Sequence, residues 1–220
     1  MLGQSTGFYQ KVLKEVVNNQ IAPLFQKNAF TGKGDSFFKV EPEIVKFVEL
    51  EYFRFNTSGV FFYWFNFYLF YGDFNAVKRI NLKLLLTRGT CVLKKRIGYL
   101  WDEEQHMYQI SSMTDPNELA GRMKGDIANR LLPFYETFHN LDDVLKFLLN
   151  KNQQRGNNEY SFTMAILLAK TGKKEESKKF LLESTAPREI IEKTAKVYGI
   201  DLAEEKQISA SGDCKAVERD

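Results

Sequence analysis

An aromatic run between Val60 and Tyr71 constrains the fold of this chain more than any other feature. Nine of these twelve residues are Phe, Tyr or Trp. Alternate side chains of a β-strand point to opposite faces of its sheet, so a strand of this composition is apolar on both faces. We therefore expect the run to form a central strand of a sheet that is covered on each side.

The segments next to the run predict an α+β fold with an antiparallel sheet of about five strands. Segments 37–40 and 44–55 are rich in residues that favour strands. The short, turn-prone link 56–59 predicts an antiparallel hairpin between the second of these segments and the aromatic run. Strand character returns further along the chain, in segments 80–86, 90–101 and 108–111.

Helical segments precede and follow the predicted sheet. Apolar residues at three- and four-residue spacing predict an N-terminal helix over 6–27 that lies across one face of the sheet. Pro23 predicts a kink in it, because proline removes a backbone hydrogen bond. Asp115 and Pro116 are typical of a helix start, and Pro133 breaks or bends that helix. Further helices are predicted at 140–149, 159–170, 173–184 and 188–198. We expect the C-terminal helical region to cover part of the second face of the aromatic strand.

Composition divides the chain into three parts. Residues 1–150 form the α+β sheet domain, 151–202 a helical hairpin plus one helix, and 203–220 a polar tail that we expect to be disordered. A polar linker, 151–158, opens the second part. The helical hairpin is similar to one tetratricopeptide-like unit. Since repeats need neighbours to bury their faces and no second copy is present, we interpret it as a generic helical hairpin.

Charge and cysteine content predict a cytoplasmic protein. The chain has 31 basic and 28 acidic residues, a net charge of +3 that gives no general attraction to nucleic acid or membrane. The two cysteines, Cys91 and Cys214, are far apart and are interpreted as reduced thiols. The N-terminus lacks a basic region followed by an apolar stretch, and the aromatic run is shorter than the ~20 apolar residues of a membrane-spanning helix.

Four segments in a fixed order resemble a known family. They are Pro23-Leu24-Phe25, segment 29–39 (AFTGKGDSFFK), segment 96–100 (RIGYL) and segment 131–134 (LLPF), with two long aromatic strands between the second and third. Over residues 6–150 the chain resembles the bacterial family called domain of unknown function 4304. Ala29 departs from the expected glycine, and the C-terminal hairpin lies outside the resemblance. The resemblance implies an α+β fold and no activity, since the family has no established reaction or catalytic residues.

The glycine-rich turn from Gly32 to Ser36 superficially resembles a phosphate-binding loop. A true P-loop has the pattern G-x-x-x-x-G-K-[ST] and lies between a strand and a helix. Here the glycines follow a helix and precede a strand, and their spacing differs. We interpret the segment as a helix cap followed by a hairpin turn.

Segment 101–106 (WDEEQH) collects three carboxylates and His106, residue types that a metal or acid–base site uses. Its members are sequence neighbours that point in different directions, and no partner ligands stand out, so we interpret it as an acidic surface turn. His139 is isolated, and neither cysteine belongs to a Cys-His signature. The sequence predicts no catalytic residue, no metal ligand and no cofactor, and hence a protein that is not an enzyme.

A basic segment is the most distinctive charge feature. Residues 75–101 contain seven basic and no acidic side chains, which leaves the rest of the chain with 24 basic and 28 acidic residues. Such asymmetry is typical of a surface that binds an acidic protein or phosphates, and also of a solvated strand edge protected by lysines. The predicted partner-binding residues are Lys78, Arg79, Lys83, Arg88, Lys94, Lys95 and Arg96.

These observations favour a non-enzymatic protein-binding or regulatory module with a protein partner, of which a toxin-immunity or antitoxin role is one version by analogy. The first alternative is a nucleic-acid-binding protein that uses segment 78–96. The second is an enzyme with a cryptic site, which predicts a concave pocket whose residues have strongly shifted pKa values. No membrane association is predicted.

Overall fold

The computed structural model describes residues 6–53, 59–72, 83, 85, 90–103, 105–155 and 160–202. The chain divides into two compact units, the first ending at Gln154 and the second beginning at Arg155. The first unit holds the whole β-sheet and the helices that pack on it. The predicted α+β fold with an antiparallel sheet is confirmed.

The sheet has six strands in the described part of the chain. They are β1 Thr31–Lys33, β2 Ser36–Val40, β3 Ile44–Tyr52, β4 Val60–Tyr71, β5 Thr90–Arg96 and β6 Tyr108–Ser111. Neighbours in the order β1-β2-β3-β4-β5 are antiparallel, and β6 pairs with the first part of β4 while β5 pairs with the second. The aromatic run is therefore a central strand, and the predicted hairpin of β3 and β4 is confirmed.

The glycine-rich turn contains one strand that the sequence analysis did not predict. Gly32 and Gly34 have φ values of 125° and 65°, which glycine adopts without strain. These two residues let β1 fold back on β2, where the sequence predicted a turn alone.

The N-terminal helix is continuous through a π-helical turn. It comprises α1 Thr6–Val16, the π turn Val17–Ile21 and α2 Ala22–Lys27. In the π turn the Ala22 N–H donates to the carbonyl of Val17, five residues back. Pro23 follows at once. Proline has no N–H, and its ring crowds the carbonyl four residues earlier. The helix accommodates Pro23 by widening into this π turn, and this is the distortion that the sequence predicted.

A second helix of the same construction lies beside the first. It comprises α3 Pro116–Asp126, the π turn Ile127–Leu131 and α4 Leu132–Tyr135, with Pro133 just after the π turn. Asp115 is the N-cap, as predicted, and its side chain accepts a hydrogen bond of 2.8 Å from the Asn117 N–H. Lys124 Nζ donates to Gln20 Oε1 at 2.8 Å and links the two helices.

Alternate residues of β4 pack on different layers. Tyr63 and Phe67 point to the helices, where Phe67 meets Phe134 with ring centroids 5.3 Å apart and the Tyr63 hydroxyl meets Met123 Sδ. On the opposite face, Tyr68 belongs to a buried cluster, which consists of Val45, Phe47, Tyr68, Phe70 and Leu85. Burial on both faces matches the prediction for this strand, with Asn66 as its one polar member.

Three predicted boundaries are wrong. Strand 90–101 ends at Arg96, and a 3₁₀ helix, Ile97–Trp101, follows. Of the predicted strand 80–86, the described residues Lys83 and Leu85 have helical backbone. Helix α5, Leu141–Arg155, extends through residues 151–155 of the predicted linker; residues 156–158 of that linker lie outside the described residues.

The second unit contains the predicted helical hairpin and one more helix. These are α6 Ser161–Lys170, α7 Lys174–Glu183 and α8 Arg188–Tyr198. Ser177 Oγ donates to the carbonyl of Ala165 at 2.7 Å and joins α7 to α6. The tail 203–220, predicted to be disordered, lies outside the described residues. None of the helices in the described ranges is long and apolar enough to cross a membrane.

Candidate functional site

A polar cleft lies in the first unit between the start of β6 and the helix formed by α3 and its π turn. Its volume is about 640 Å³. The lining residues are His106, Met107, Tyr108, Arg122, Gly125, Asp126, Asn129 and Arg130. The lining residues from Arg122 to Arg130 recur at helical spacing, so one face of α3 and its π turn forms one wall of the cleft. The segment that leads into β6 forms the other wall.

Gly98 allows the segment before β6 to fold against the 3₁₀ helix. A Cβ atom at this position would overlap the carbonyl of Glu103 and the Cβ of His106. The Glu103 N–H donates to the Gly98 carbonyl at 3.0 Å, and the His106 N–H donates to the Glu103 carbonyl at 2.8 Å. Asp102, at a φ of 63°, reverses the chain between them. This turn fixes the backbone that carries His106.

The His106 ring is held between two carboxylates and two aromatic rings. Its Nε2 lies 3.5 Å from Asp126 Oδ2 and its Nδ1 lies 3.6 Å from Glu103 Oε2. Its ring meets Trp101 and Tyr108 edge to face, with centroids 4.8 and 5.0 Å away. Nε2 is buried and has no hydrogen-bond partner among the described residues. The imidazole therefore has a fixed orientation, and its buried nitrogen faces the Asp126 carboxylate.

Asp126 is already engaged by a neutral donor. The Tyr108 hydroxyl donates to Asp126 Oδ2 at 2.6 Å. Burial, and then the hydrogen bond to Asp126, raise the pKa of Tyr108 far above its usual value of 10.0. The phenol therefore stays protonated and remains a donor to the carboxylate. This hydrogen bond delocalises part of the negative charge on the floor of the cleft.

Two arginines flank the His106–Asp126–Tyr108 group. Arg122 and Arg130 are exposed, and neither guanidinium makes a hydrogen bond or an ion pair in the described ranges. Arg130 lies over the Trp101 ring, 4.8 Å from its centroid, which holds the guanidinium at the mouth of the cleft. The side-chain amide of Asn129, between the two arginines on the same wall, also has no partner among these residues.

The structure brings His106 together with residues that the sequence analysis did not consider. Segment 101–106 predicts an acidic surface turn, because its side chains point in different directions and no partner ligands stand out. The partners Arg122, Asp126 and Arg130 lie on a later helix, where their four-residue spacing places them on one face. That spacing was the one available signal.

The other residues that the sequence analysis singled out lie elsewhere. His139 is exposed, and its backbone N–H donates to Asp143 Oδ2 at 2.9 Å. Asp35, in the turn between β1 and β2, accepts a hydrogen bond of 2.9 Å from the Tyr52 hydroxyl. Burial raises the pKa of the Cys91 thiol, although nearby Lys94 lowers it in part. Cys214 lies outside the described residues.

The structure divides the predicted basic residues between different surfaces. In β5, Lys94 and Arg96 lie over the rings of Tyr68 and Trp64, at 5.5 and 4.1 Å from their centroids. Lys95 points to the opposite face, 5.0 Å from the centroid of Tyr99. Lys83 is exposed. Lys78, Arg79 and Arg88 lie outside the described residues.

A second, smaller concavity of about 490 Å³ lies at the end of β5. Its lining residues are Glu51, Asn66, Lys94, Lys95, Arg96, Tyr99 and Gln105. The buried amide of Asn66 is satisfied there, since it accepts from Trp64 Nε1 at 3.1 Å and donates to Glu51 Oε2 at 2.6 Å. These bonds fix the aromatic platform under Arg96.

Within the described ranges, no group of three or more His, Cys, Asp or Glu side chains could hold a metal ion. Comparisons of the chain with protein-family models, with curated proteins and with solved structures find no match. The resemblance to the family called domain of unknown function 4304 therefore stays a prediction.

Proposed function

We propose that this protein binds a small molecule with two or more negative charges in the cleft beside His106. The observation that carries the proposal is the pair of arginines, Arg122 and Arg130, which flank the cleft without a carboxylate partner in the described ranges. A guanidinium presents a rigid fork of N–H donors that matches phosphate and carboxylate groups. The cleft volume of about 640 Å³ is typical of small-molecule sites.

The negative charge of Asp126 weakens the attraction of the cleft for an anion without cancelling it. Its carboxylate accepts a hydrogen bond from the Tyr108 hydroxyl, which delocalises part of the charge in the floor of the cleft. The two arginine charges remain available to a ligand, and the Asn129 amide adds directional hydrogen bonds. Such a combination of two cations and a neutral polar group orients an anion as well as attracting it.

The same geometry gives a second candidate function. A histidine beside a carboxylate is an arrangement that general acid–base catalysis uses, and here it lies in the cleft that would hold the anion. In that case His106 would exchange a proton with an oxygen of the bound ligand. The sequence-based prediction of a non-enzymatic protein-binding module stays a prediction, and ligand binding alone is compatible with it.

Calorimetric titration with inorganic phosphate, pyrophosphate and citrate tests the proposal. We expect the wild-type protein to bind at least one of these anions, and Arg122→Gln and Arg130→Gln each to weaken binding about 10-fold or more, as expected for loss of a charged hydrogen bond. Arg188→Gln is the control, because Arg188 is an exposed arginine that pairs with Glu192 in the second unit. No binding by the wild type, or equal weakening in all three variants, contradicts the proposal.

A steric variant tests the location of the site independently of charge. Gly125 lines the cleft, and a Cβ atom there would meet nothing within 4 Å, so Gly125→Leu fills the cleft without strain. Gly121 lies one turn earlier in α3, has the same free space, and does not line the cleft. We expect Gly125→Leu to abolish anion binding and Gly121→Leu to preserve it. Equal affinities of the two variants would place the anion elsewhere.

A further inference from the structure

The outer edge of β5 is a strand edge in the described part of the chain. The sheet order ends at β5, which pairs only with β4 among the described strands. Such an edge presents backbone N–H and C=O groups to an added strand. Extended peptides bind proteins in this way, with affinity from main-chain hydrogen bonds and specificity from alternate side chains.

Two cations of this edge strand are held in place by aromatic rings and have no acidic partner among the residues that the structure describes. Lys94 and Arg96 project from the same face and lie over the rings of Tyr68 and Trp64. Neither side chain makes a hydrogen bond or an ion pair within the described ranges. Contact with the rings limits their rotamers, so less side-chain entropy is lost when they bind a carboxylate.

The carboxylates on the same face are already engaged by other groups. Glu49 Oε2 accepts a hydrogen bond of 2.9 Å from the Tyr68 hydroxyl, and Glu51 Oε2 accepts one of 2.6 Å from Asn66. The two acids therefore bond to neutral donors of β4, while the two cations lie further out, on the edge strand. The edge of this face is positively charged, which selects an acidic partner.

We propose that the outer edge of β5 binds an extended peptide segment with acidic residues at alternate positions. In an added strand, residues two apart point to the same face and lie opposite residues two apart on β5. An acidic-x-acidic segment thus places its carboxylates opposite Lys94 and Arg96, and the intervening residue lies on the side of Lys95. This partner differs from the small anion of the cleft, and the two sites are tested separately.

Fluorescence anisotropy with labelled synthetic peptides tests this proposal. The probe is a ten-residue peptide that alternates Glu and Thr. The comparison peptide has the same composition in the order EETTEETTET, in which no two glutamates are two residues apart. We expect the alternating peptide to bind at least about five-fold more tightly, because only its glutamates lie two residues apart on one face of a strand. Replacing a central Thr of the alternating peptide with proline should weaken the binding of that peptide, since proline removes a main-chain donor. Equal affinity of all three peptides would overturn the proposal.

Charge reversal locates the binding surface. We expect the double variant Lys94→Glu/Arg96→Glu to bind the alternating peptide about 10-fold or more weakly. The double variant Lys11→Glu/Lys14→Glu makes the same charge change on exposed residues of α1 and should bind like the wild type. Equal losses of affinity in both variants would show net-charge attraction only and overturn the proposal.

Tighter binding of a single-stranded oligonucleotide of equal charge would overturn the proposal in favour of a nucleic-acid partner. The peptide series uses the wild-type protein, so it decides the question even if a variant does not fold.

Discussion

The Tyr135 hydroxyl donates a hydrogen bond of 2.7 Å to the backbone carbonyl of Phe47. The same oxygen lies 3.3 Å from the Tyr68 N–H, from which it accepts, so one side chain of α4 bonds to the backbones of both central strands. Tyr135 is fully buried, and burial raises its pKa well above 10.0. This hydroxyl fixes the helix that carries the cleft to the sheet.

Replacing Tyr135 with Phe should destabilise the first unit by about 1–3 kcal/mol, because the substitution leaves buried backbone groups without their partner. Urea denaturation gives the free energy of unfolding. Tyr9→Phe is the control, since the Tyr9 hydroxyl has a longer bond of 3.4 Å to the carbonyl of Gly59. Equal losses of stability in the two variants would contradict the role assigned to Tyr135.

Gly98→Ala should disrupt the turn that carries His106. The added methyl group would overlap the Glu103 carbonyl and the His106 side chain, so the segment must move away from the 3₁₀ helix. We expect a loss of stability of about 1–3 kcal/mol, typical of overpacking, together with weaker anion binding in the cleft. Thermal unfolding and calorimetry measure the two effects. Gly121→Ala, with free space at its Cβ position inside α3, should lower neither the stability nor the affinity for the anion.

Asp126→Asn should strengthen anion binding about five-fold. The substitution removes a negative charge from the cleft floor, an effect of about 1 kcal/mol for charges ~4 Å apart with the full screening of bulk water. The amide oxygen can still accept the Tyr108 hydroxyl, which preserves the fold. Asp142→Asn makes the same charge change at an exposed position of α5. A calorimetric affinity that falls in Asp126→Asn, or rises equally in both variants, would contradict this prediction.

Glu136 should make stability depend on pH in the acid range. Partial burial raises its pKa, but the 3.3 Å hydrogen bond from Lys39 and the charges of Lys39 and Lys46 outweigh this and lower the pKa below its usual 4.5. A lowered folded-state pKa adds stability above pH 4.5 that is lost as pH falls through the folded value. Because Glu136 is half-exposed, we expect only about 0.5 kcal/mol.

The measurement for Glu136 is the melting temperature between pH 7 and pH 3. Wild type should lose more stability over this range than Glu136→Gln, which has no carboxylate to protonate. Glu15→Gln is the control, since Glu15 is exposed and has no ion pair in the described ranges. If Glu136→Gln and wild type lose stability in parallel, Lys39 does not stabilise the charged form of Glu136.

Local patterns predicted several elements of the fold. Aromatic residues at most positions identified β4 as a central strand, and the pair Asp115 and Pro116 identified the start of α3. The two-residue period of a strand also implies that Lys95 faces away from Lys94 and Arg96. Counting the charges along segment 78–96 as one group concealed this separation. The end of β5 could not be predicted, because Ile97–Trp101 has a strand-like composition and only the close approach of Glu103 and His106 to Gly98 selects a 3₁₀ helix.

The cleft could not be predicted for a similar reason. His106 and Asp126 are brought together by the packing of α3 against the start of β6, and no local sequence pattern encodes that contact. The immediate neighbours of His106 in the sequence have diverging side chains and therefore indicate no site. Its partners become visible only once the helix face with Arg122, Asp126 and Arg130 is placed beside it.

The π turns set the rotational phase of both long helices. Buried residues recur at every fourth position: Tyr9, Leu13, Val17, Ile21 and Phe25 in the first, Leu119, Met123, Ile127, Leu131 and Tyr135 in the second. On an uninterrupted α-helix each such step drifts by about 40°, so the last residue would point about 160° away from the first. The extra residue in each π turn cancels about 100° of that drift. An α-helix of the same length without the π turn would keep this drift and turn Tyr135 away from Phe47, so the contact of the helix with the sheet depends on one wider turn.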